Sequence, residues 1–82
     1  MTLTELRYIV ALAQDGNFSR AAERCSVSQP TLSVAIARLE DELGVQLFER
    51  GKGFVSPSAV GVRVVEQAKQ ALLETEKVRQ IA

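Results

Sequence analysis

Phe18-Ser19-Arg20-Ala21-Ala22-Glu23-Arg24-Cys25-Ser26-Val27-Ser28-Gln29-Pro30-Thr31-Leu32-Ser33-Val34-Ala35-Ile36-Ala37-Arg38-Leu39 is the stretch whose reading decides the fold. Ser19 is placed to cap a brief helix of about two turns that holds Ala21, Ala22 and Cys25 on its inner side. Ser26 and Val27 make a tight connection. Ser28 then caps a longer helix whose first turn tolerates Pro30, because that position has no intrahelical N–H partner to lose. Leu32, Ile36, Leu39 and Leu43 recur on one narrow arc of that helix, and Gly44 supplies its stop. Small or apolar residues at Ala21, Ala22, Cys25, Val27, Leu32 and Ala35 let the two helices cross closely, which is the helix-turn-helix pattern. Ser26 stands in the turn where glycine is often found, and a non-glycine residue held there at positive φ is strained.

Outward from this unit, Thr2 and Glu5 have capping-box spacing, and Leu3, Leu6, Ile9, Val10 and Ala13 repeat at helical intervals over residues 3–15. Downstream, Gln46–Arg50 and Phe54–Ser56 read as two short strands around Gly51-Lys52-Gly53, with Pro57 ending the hairpin. Ser58 caps the last segment, and residues 59–82 form one long helix. Val64, Val65, Ala68, Ala71, Leu72, Thr75, Val78 and Ala82 trace a heptad-like stripe along it. The expected architecture is therefore mainly α: a winged helix-turn-helix of three helices and a two-stranded wing over residues 1–57, then a long linker and dimerisation helix over 58–82.

Composition bounds the function. Eighty-two residues with 46% hydrophobic and 24% charged side chains make one folding domain rather than a disordered tail. Ten basic residues balance ten acidic ones, so attraction to nucleic acid has to come from local arrangement. The absence of histidine and the presence of a single cysteine remove the commonest general base, leave no zinc site and argue against an enzyme, a metal centre or a cofactor. Cys25 cannot form an internal disulfide, no apolar leader follows Met1, and the longest apolar run, Ile9–Ala13, is far too short to span a bilayer. A cytoplasmic protein is expected.

The outer face of the helix beginning at Gln29 is the more informative one, because Pro30, Ser33, Val34, Ala37, Arg38 and Asp41 cluster there and most are short, which permits close approach to another surface. In a major groove, Gln29 can pair with adenine N6 and N7, Thr31 and Ser33 can bond a base edge or phosphate, and Val34 can touch a thymine methyl. Arg38 suits a phosphate. Lys52 is placed at a loop tip between two glycines, with Arg50 beside it, to reach a phosphate or minor groove. The plainer reading is that Ser28, Gln29 and Pro30 only start a helix while Arg38 and Lys52 are solvated charges, and periodicity by itself leaves both open. A winged-helix module that grips a protein partner is the alternative that near-zero net charge favours. The last helix also has two readings, lying back on the first helix or pairing with its copy, and its length favours pairing. Cys25, on an apolar side with no basic pair to activate it, reads as core packing.

Phe18-Ser19-Arg20-Ala21-Ala22, Ser28-Gln29-Pro30-Thr31-Leu32-Ser33, Ile36-Ala37-Arg38-Leu39-Glu40 and Leu43-Gly44-Val45-Gln46-Leu47-Phe48-Glu49-Arg50 together resemble the LysR-type transcriptional regulators over the whole chain. The resemblance implies sequence-specific binding of double-stranded DNA at an interrupted inverted repeat, as a homodimer joined by the long helix. It also implies a carboxy-terminal effector domain that these residues do not include, contacts with the transcription machinery in the complete protein, and a nucleoid-associated location. By matching position, Gln29, Pro30, Thr31, Ser33 and Val34 occupy the recognition-helix start, Arg38 a backbone contact, and Arg50, Lys52 and Gly53 the wing. The dimer residues are Val64, Val65, Ala68, Ala71, Leu72, Thr75 and Val78. Departures stand out: Val34 lies where many relatives carry arginine, another arginine that many carry near Gly53 in the wing is absent, and Pro57 lies where an apolar strand residue is usual. Within the family, Met1 to Val10, Cys25 and Val27 to Ser33 are most similar to the peroxide-sensing branch, the alternative being a regulator that answers a small-molecule metabolite. That branch senses through cysteines of the effector domain, a role Cys25 does not inherit.

Overall fold

Thr2 Oγ1 accepts the Glu5 N–H while the Glu5 carboxylate accepts the Thr2 N–H, closing the expected capping box at the start of α1 (Leu3–Asp15). The computed structural model describes all residues, Met1–Ala82. Gly16, in the left-handed region at φ 64°, ends α1. α2 (Phe18–Arg24) is capped by Asn17, whose side-chain oxygen accepts the Arg20 N–H, and not by Ser19. Asn caps as well as Ser does, so the first acceptor after the glycine takes the position and leaves Ser19 inside the first turn. α3 (Gln29–Leu43) starts from Ser28 with Pro30 in its first turn and ends at Gly44, as its sequence requires.

The wing is a two-stranded antiparallel sheet of β1 (Phe48–Arg50) and β2 (Val55–Pro57), in which Phe48 faces Pro57 and Arg50 faces Val55. It begins two residues later than expected and includes Pro57. Gln46 is held in the corner before β1, its amide donating to the Phe48 carbonyl and its own carbonyl accepting the Ser58 hydroxyl. Pro57 closes the end of an edge strand, where a missing N–H costs nothing. The Val55 N–H donates to the Gly16 carbonyl at 2.9 Å, fastening the wing to the α1–α2 turn.

The core lies where the three helices meet the wing, with Ile9, Leu12, Leu32, Leu39 and Leu47 fully buried. Ala21 and Ala22 are buried beside them and allow the close crossing of α2 on its neighbours. Glu40 joins α3 to the wing: its carboxylate accepts the Leu47 N–H at 2.7 Å and the Phe48 N–H at 3.3 Å. α4 (Ala59–Ile81) then leaves the wing with Ser58 as its cap.

α4 corrects one expectation about the dimer stripe. Val65 and Ala68 are only 5% and 3% exposed in the single chain, where they join the core as α4 packs on α1. They are therefore not available to a partner. Gly61 makes that packing achievable, since a methyl group there would collide with the Leu47 carbonyl. The first half of the long helix lies back on α1, while beyond Leu72 its apolar residues are open, Val78 at 68% and Ile81 at 88% exposure.

Gly61→Ala is expected to destabilise the fold by about 1 to 3 kcal/mol, as overpacking against backbone does, read as a lower urea midpoint with an unchanged slope. Ser26 sits at φ 58°, so Ser26→Gly is expected to raise stability by roughly 1 kcal/mol in the same measurement.

Candidate nucleic-acid interface

The first turn of α3, the start of α2 and the wing converge. Gly16, Phe18, Ser19, Gln29, Arg50, Gly51, Gly53 and Phe54 are among the residues that line one open cleft between them. Arg50 lies over the Phe18 ring, its guanidinium carbon 4.6 Å from the ring centroid. This cation–π contact joins the wing to the start of α2. Neither Phe18 nor Ser19 stood out as a site residue in the sequence, because their partners are far along the chain and no local period relates them.

α3 presents Gln29, Pro30, Thr31, Val34, Ala37, Arg38 and Asp41 as exposed residues, with Val34 51% exposed. Ser33 is half-buried at the edge of this face and not at its centre. Gln29 is tied across the turn by a hydrogen bond from Ser19 Oγ to its Oε1 at 2.9 Å. Ser28 Oγ accepts the Thr31 N–H and donates to Thr31 Oγ1 at 2.8 Å, which leaves the Thr31 hydroxyl hydrogen free. Pro30, Thr31, Val34, Ala35 and Arg38 border a shallow depression whose far side is Glu5, an acid already engaged by the Thr2 N–H and the amino terminus.

The neutral total divides into paired and unpaired groups, and Arg7, Arg20, Arg63, Glu23, Asp41 and Glu49 are exposed without an ion pair. Arg24 pairs with Asp15, while Lys69, Lys77 and Arg79 pair with Glu66, Glu74 and Glu76 along α4. Arg38, Arg50 and Lys52 form no ion pair and are exposed. No acidic residue lies in the first turn of α2 or of α3, so the partial positive charge of the α3 start is not offset by a side chain of its own turn. Lys52 and Gly53 occupy the exposed wing tip, with Gly53 at φ 75°. Phe54 is exposed beside them and packs its ring against Gly51.

Of the dimer residues, Val64 is half-buried against the core, Ala71, Leu72 and Thr75 are half-exposed, and Val78 is open. The Thr75 hydroxyl is used within its own helix, donating to the Ala71 carbonyl at 2.9 Å. Val10, Ala13, Leu72 and Leu73 form an apolar groove between α1 and α4. Cys25 is half-buried beside Tyr8, Ala11 and Leu72, and burial pushes its thiol up from the ordinary value. The thiolate is thereby disfavoured, as suits a packing residue. No helix is long and apolar enough to cross a membrane.

A short helix, a tight turn, a longer helix with a short-residue outer face, and a hairpin beside its first turn define a winged helix-turn-helix domain. The model of the bacterial regulatory helix-turn-helix proteins of the lysR family matches residues 3–62, and this chain belongs to that family and carries its DNA-binding domain. The hydrogen peroxide-inducible genes activator of Pectobacterium carotovorum subsp. carotovorum is 48% identical over all of this chain and 27% of its own length. The chain thus spans about a quarter of the curated relatives it matches. Full-length OxyR C199D from Pseudomonas aeruginosa is 58% identical, with a TM-score of 0.94 over 99% of this chain and 28% of that one. The BenM DNA-binding domain in complex with benA site 1 DNA is 36% identical, with a TM-score of 0.94 over 99% of this chain and 91% of that one. The resemblance read from the linked motifs is confirmed at the level of family and fold, and the family is one of transcription regulators.

The Arg24 fork on Asp15, with Nε and Nη2 at 2.9 and 2.8 Å, ties the end of α1 to the end of α2. That hydrogen bonding holds the Asp15 carboxyl below its ordinary value of 3.8, against a smaller opposing effect of desolvation. A carboxyl lowered by folding stabilises above its unfolded value and loses that contribution as pH falls through the folded one. Asp15→Asn is therefore expected to be less stable than the parent at neutral pH, with the gap closing below pH 3.8 in urea melts taken at several pH values.

Proposed function

We propose that this chain reads promoter DNA for a peroxide-responsive transcription regulator. Two copies pair through the open second half of α4 and place two α3 helices in successive major grooves of an interrupted inverted repeat, about 34 Å apart, with the wings over the flanking minor grooves. The observation that carries the DNA reading is the face itself: Arg38, Arg50 and Lys52 are exposed and unpaired around the short side chains of α3 and the wing. The similarity to a hydrogen peroxide-inducible genes activator and to OxyR supports the peroxide branch.

Within this reading, Gln29, Thr31, Ser33 and Val34 face base edges, with Pro30 setting the approach, and Arg38, Arg50, Lys52 and Gly53 follow the phosphates. Residues 1–57 hold the DNA-facing elements, and 58–82 form the linker and dimer helix through Ala71, Leu72, Thr75 and Val78. Cys25 is a packing residue in this reading, lying partly buried against the core where burial pushes its thiol up. The chain catalyses nothing and works in the cytoplasm at the nucleoid, where the complete regulator meets the transcription machinery.

Selection from a random duplex pool, followed by sequencing, tests the proposal without assuming a site. A two-fold repeat is the expected product, whereas no enrichment at low salt would overturn DNA reading in favour of a protein-gripping module. Lys52→Ala is expected to weaken all duplexes alike and to make the slope of log affinity against log salt shallower by about 0.9. A changed preference at one base position would instead make Lys52 a base contact.

A further inference from the structure

Ser19 and Gln29 are joined by a hydrogen bond that spans the helix-turn-helix turn. Ser19 is the second residue of α2 and Gln29 the first of α3, and Ser19 Oγ donates to Gln29 Oε1 at 2.9 Å. Both side chains are exposed, and both line the cleft that holds Arg50 and the wing glycines. The Gln29 side chain makes no other hydrogen bond, so Ser19 is its sole tether. An untethered glutamine has three rotatable side-chain bonds and gives up much rotamer freedom when it is fixed on a base edge.

We propose that Ser19 is a positioning residue for Gln29, ordering its amide to read one base pair in each half-site. The inference rests on the DNA reading proposed above. An amide oxygen has two lone pairs, and Ser19 occupies one of them, leaving the other to accept from adenine N6–H. Both hydrogens of Nε2 stay free, one of them to donate to adenine N7. Ser19 thus contributes to base choice through Gln29, without touching the base. Asn17, not Ser19, caps α2, so the Ser19 hydroxyl is not required for the helix start. Alanine at this position keeps the helix.

The test uses the duplex found by selection and a set in which each base pair of its half-site is replaced in turn, with binding measured at several salt concentrations and base preference compared at one of them. Ser19→Ala, Ser19→Thr, Gln29→Ala and the double variant Ser19→Ala/Gln29→Ala are compared with the parent, each first checked for an unchanged circular dichroism spectrum. Gln29→Ala is expected to flatten the preference at one position. Ser19→Ala should lower the preference at that same position about three- to ten-fold, the range for one hydrogen bond, leaving affinity for unrelated DNA and the salt slope unchanged. Ser19→Thr, which keeps the hydroxyl, should restore it, and the double variant should behave as Gln29→Ala.

Uniform weakening by Ser19→Ala with a shallower salt slope would make Ser19 a phosphate contact and overturn the inference. So would an unchanged preference, failure of threonine to rescue, or an added loss in the Gln29→Ala background. A parent protein without any preference would overturn the DNA reading itself, while a selective parent whose preference survives Gln29→Ala would overturn only the role of this residue pair.

Discussion

Leu47 is the point at which the elements of this domain are fixed to one another. Its side chain is fully buried, its N–H is taken by the Glu40 carboxylate from α3, and its carbonyl accepts the Ser58 N–H at 2.8 Å. The first turn of α4 lies so close to that carbonyl that position 61 has no room for a side chain. One peptide segment thus sets the wing relative to α3 and launches α4 along α1. In a domain of 82 residues the apolar core is small, and a polar junction of this kind supplies direction that hydrophobic burial, which is non-directional, cannot.

The electrostatic design depends on that frame. A chain of zero formal charge can still gather unpaired cations at one surface when most of its acids are engaged elsewhere. Here the α4 acids pair with α4 cations, Asp15 pairs with Arg24, and Glu40 is turned inward to backbone N–H groups. Of the cations left over, Arg38, Arg50 and Lys52 frame the outer face of α3 and the wing. The contact of the Arg50 guanidinium with the Phe18 ring adds to that frame, joining the wing to the start of α2. Short side chains on the outer α3 face complete the surface, because reach there would cost closeness.

The apolar stripe of α4 is divided along its length. Residues that satisfy a heptad pattern can pack on a neighbour in the same chain as readily as on a second copy, and periodicity does not distinguish the two. Gly61, Val65 and Ala68 are taken by α1 and the wing corner, while Val78 and Ile81 extend past them. The open groove of Val10, Ala13, Leu72 and Leu73 marks where the intramolecular packing ends.

Helix limits, caps and the place of the hairpin were legible in the sequence because they depend on neighbours a few residues apart. Thr2 with Glu5, Ser28 with Thr31, Ser58 with Gly61, and the glycines at 16 and 44 act locally. Even the misplaced α2 cap was a choice between two nearby polar residues, Asn17 and Ser19. The family too was legible, through linked motifs from Phe18 to Arg50. Only the tertiary structure decided that Arg50 lies over Phe18, that Ser19 holds Gln29, that Glu40 grips Leu47, and that half of the apolar stripe of α4 is already taken by α1. Each of these joins residues from different elements, and their meeting depends on how the helices cross rather than on any repeat along the chain.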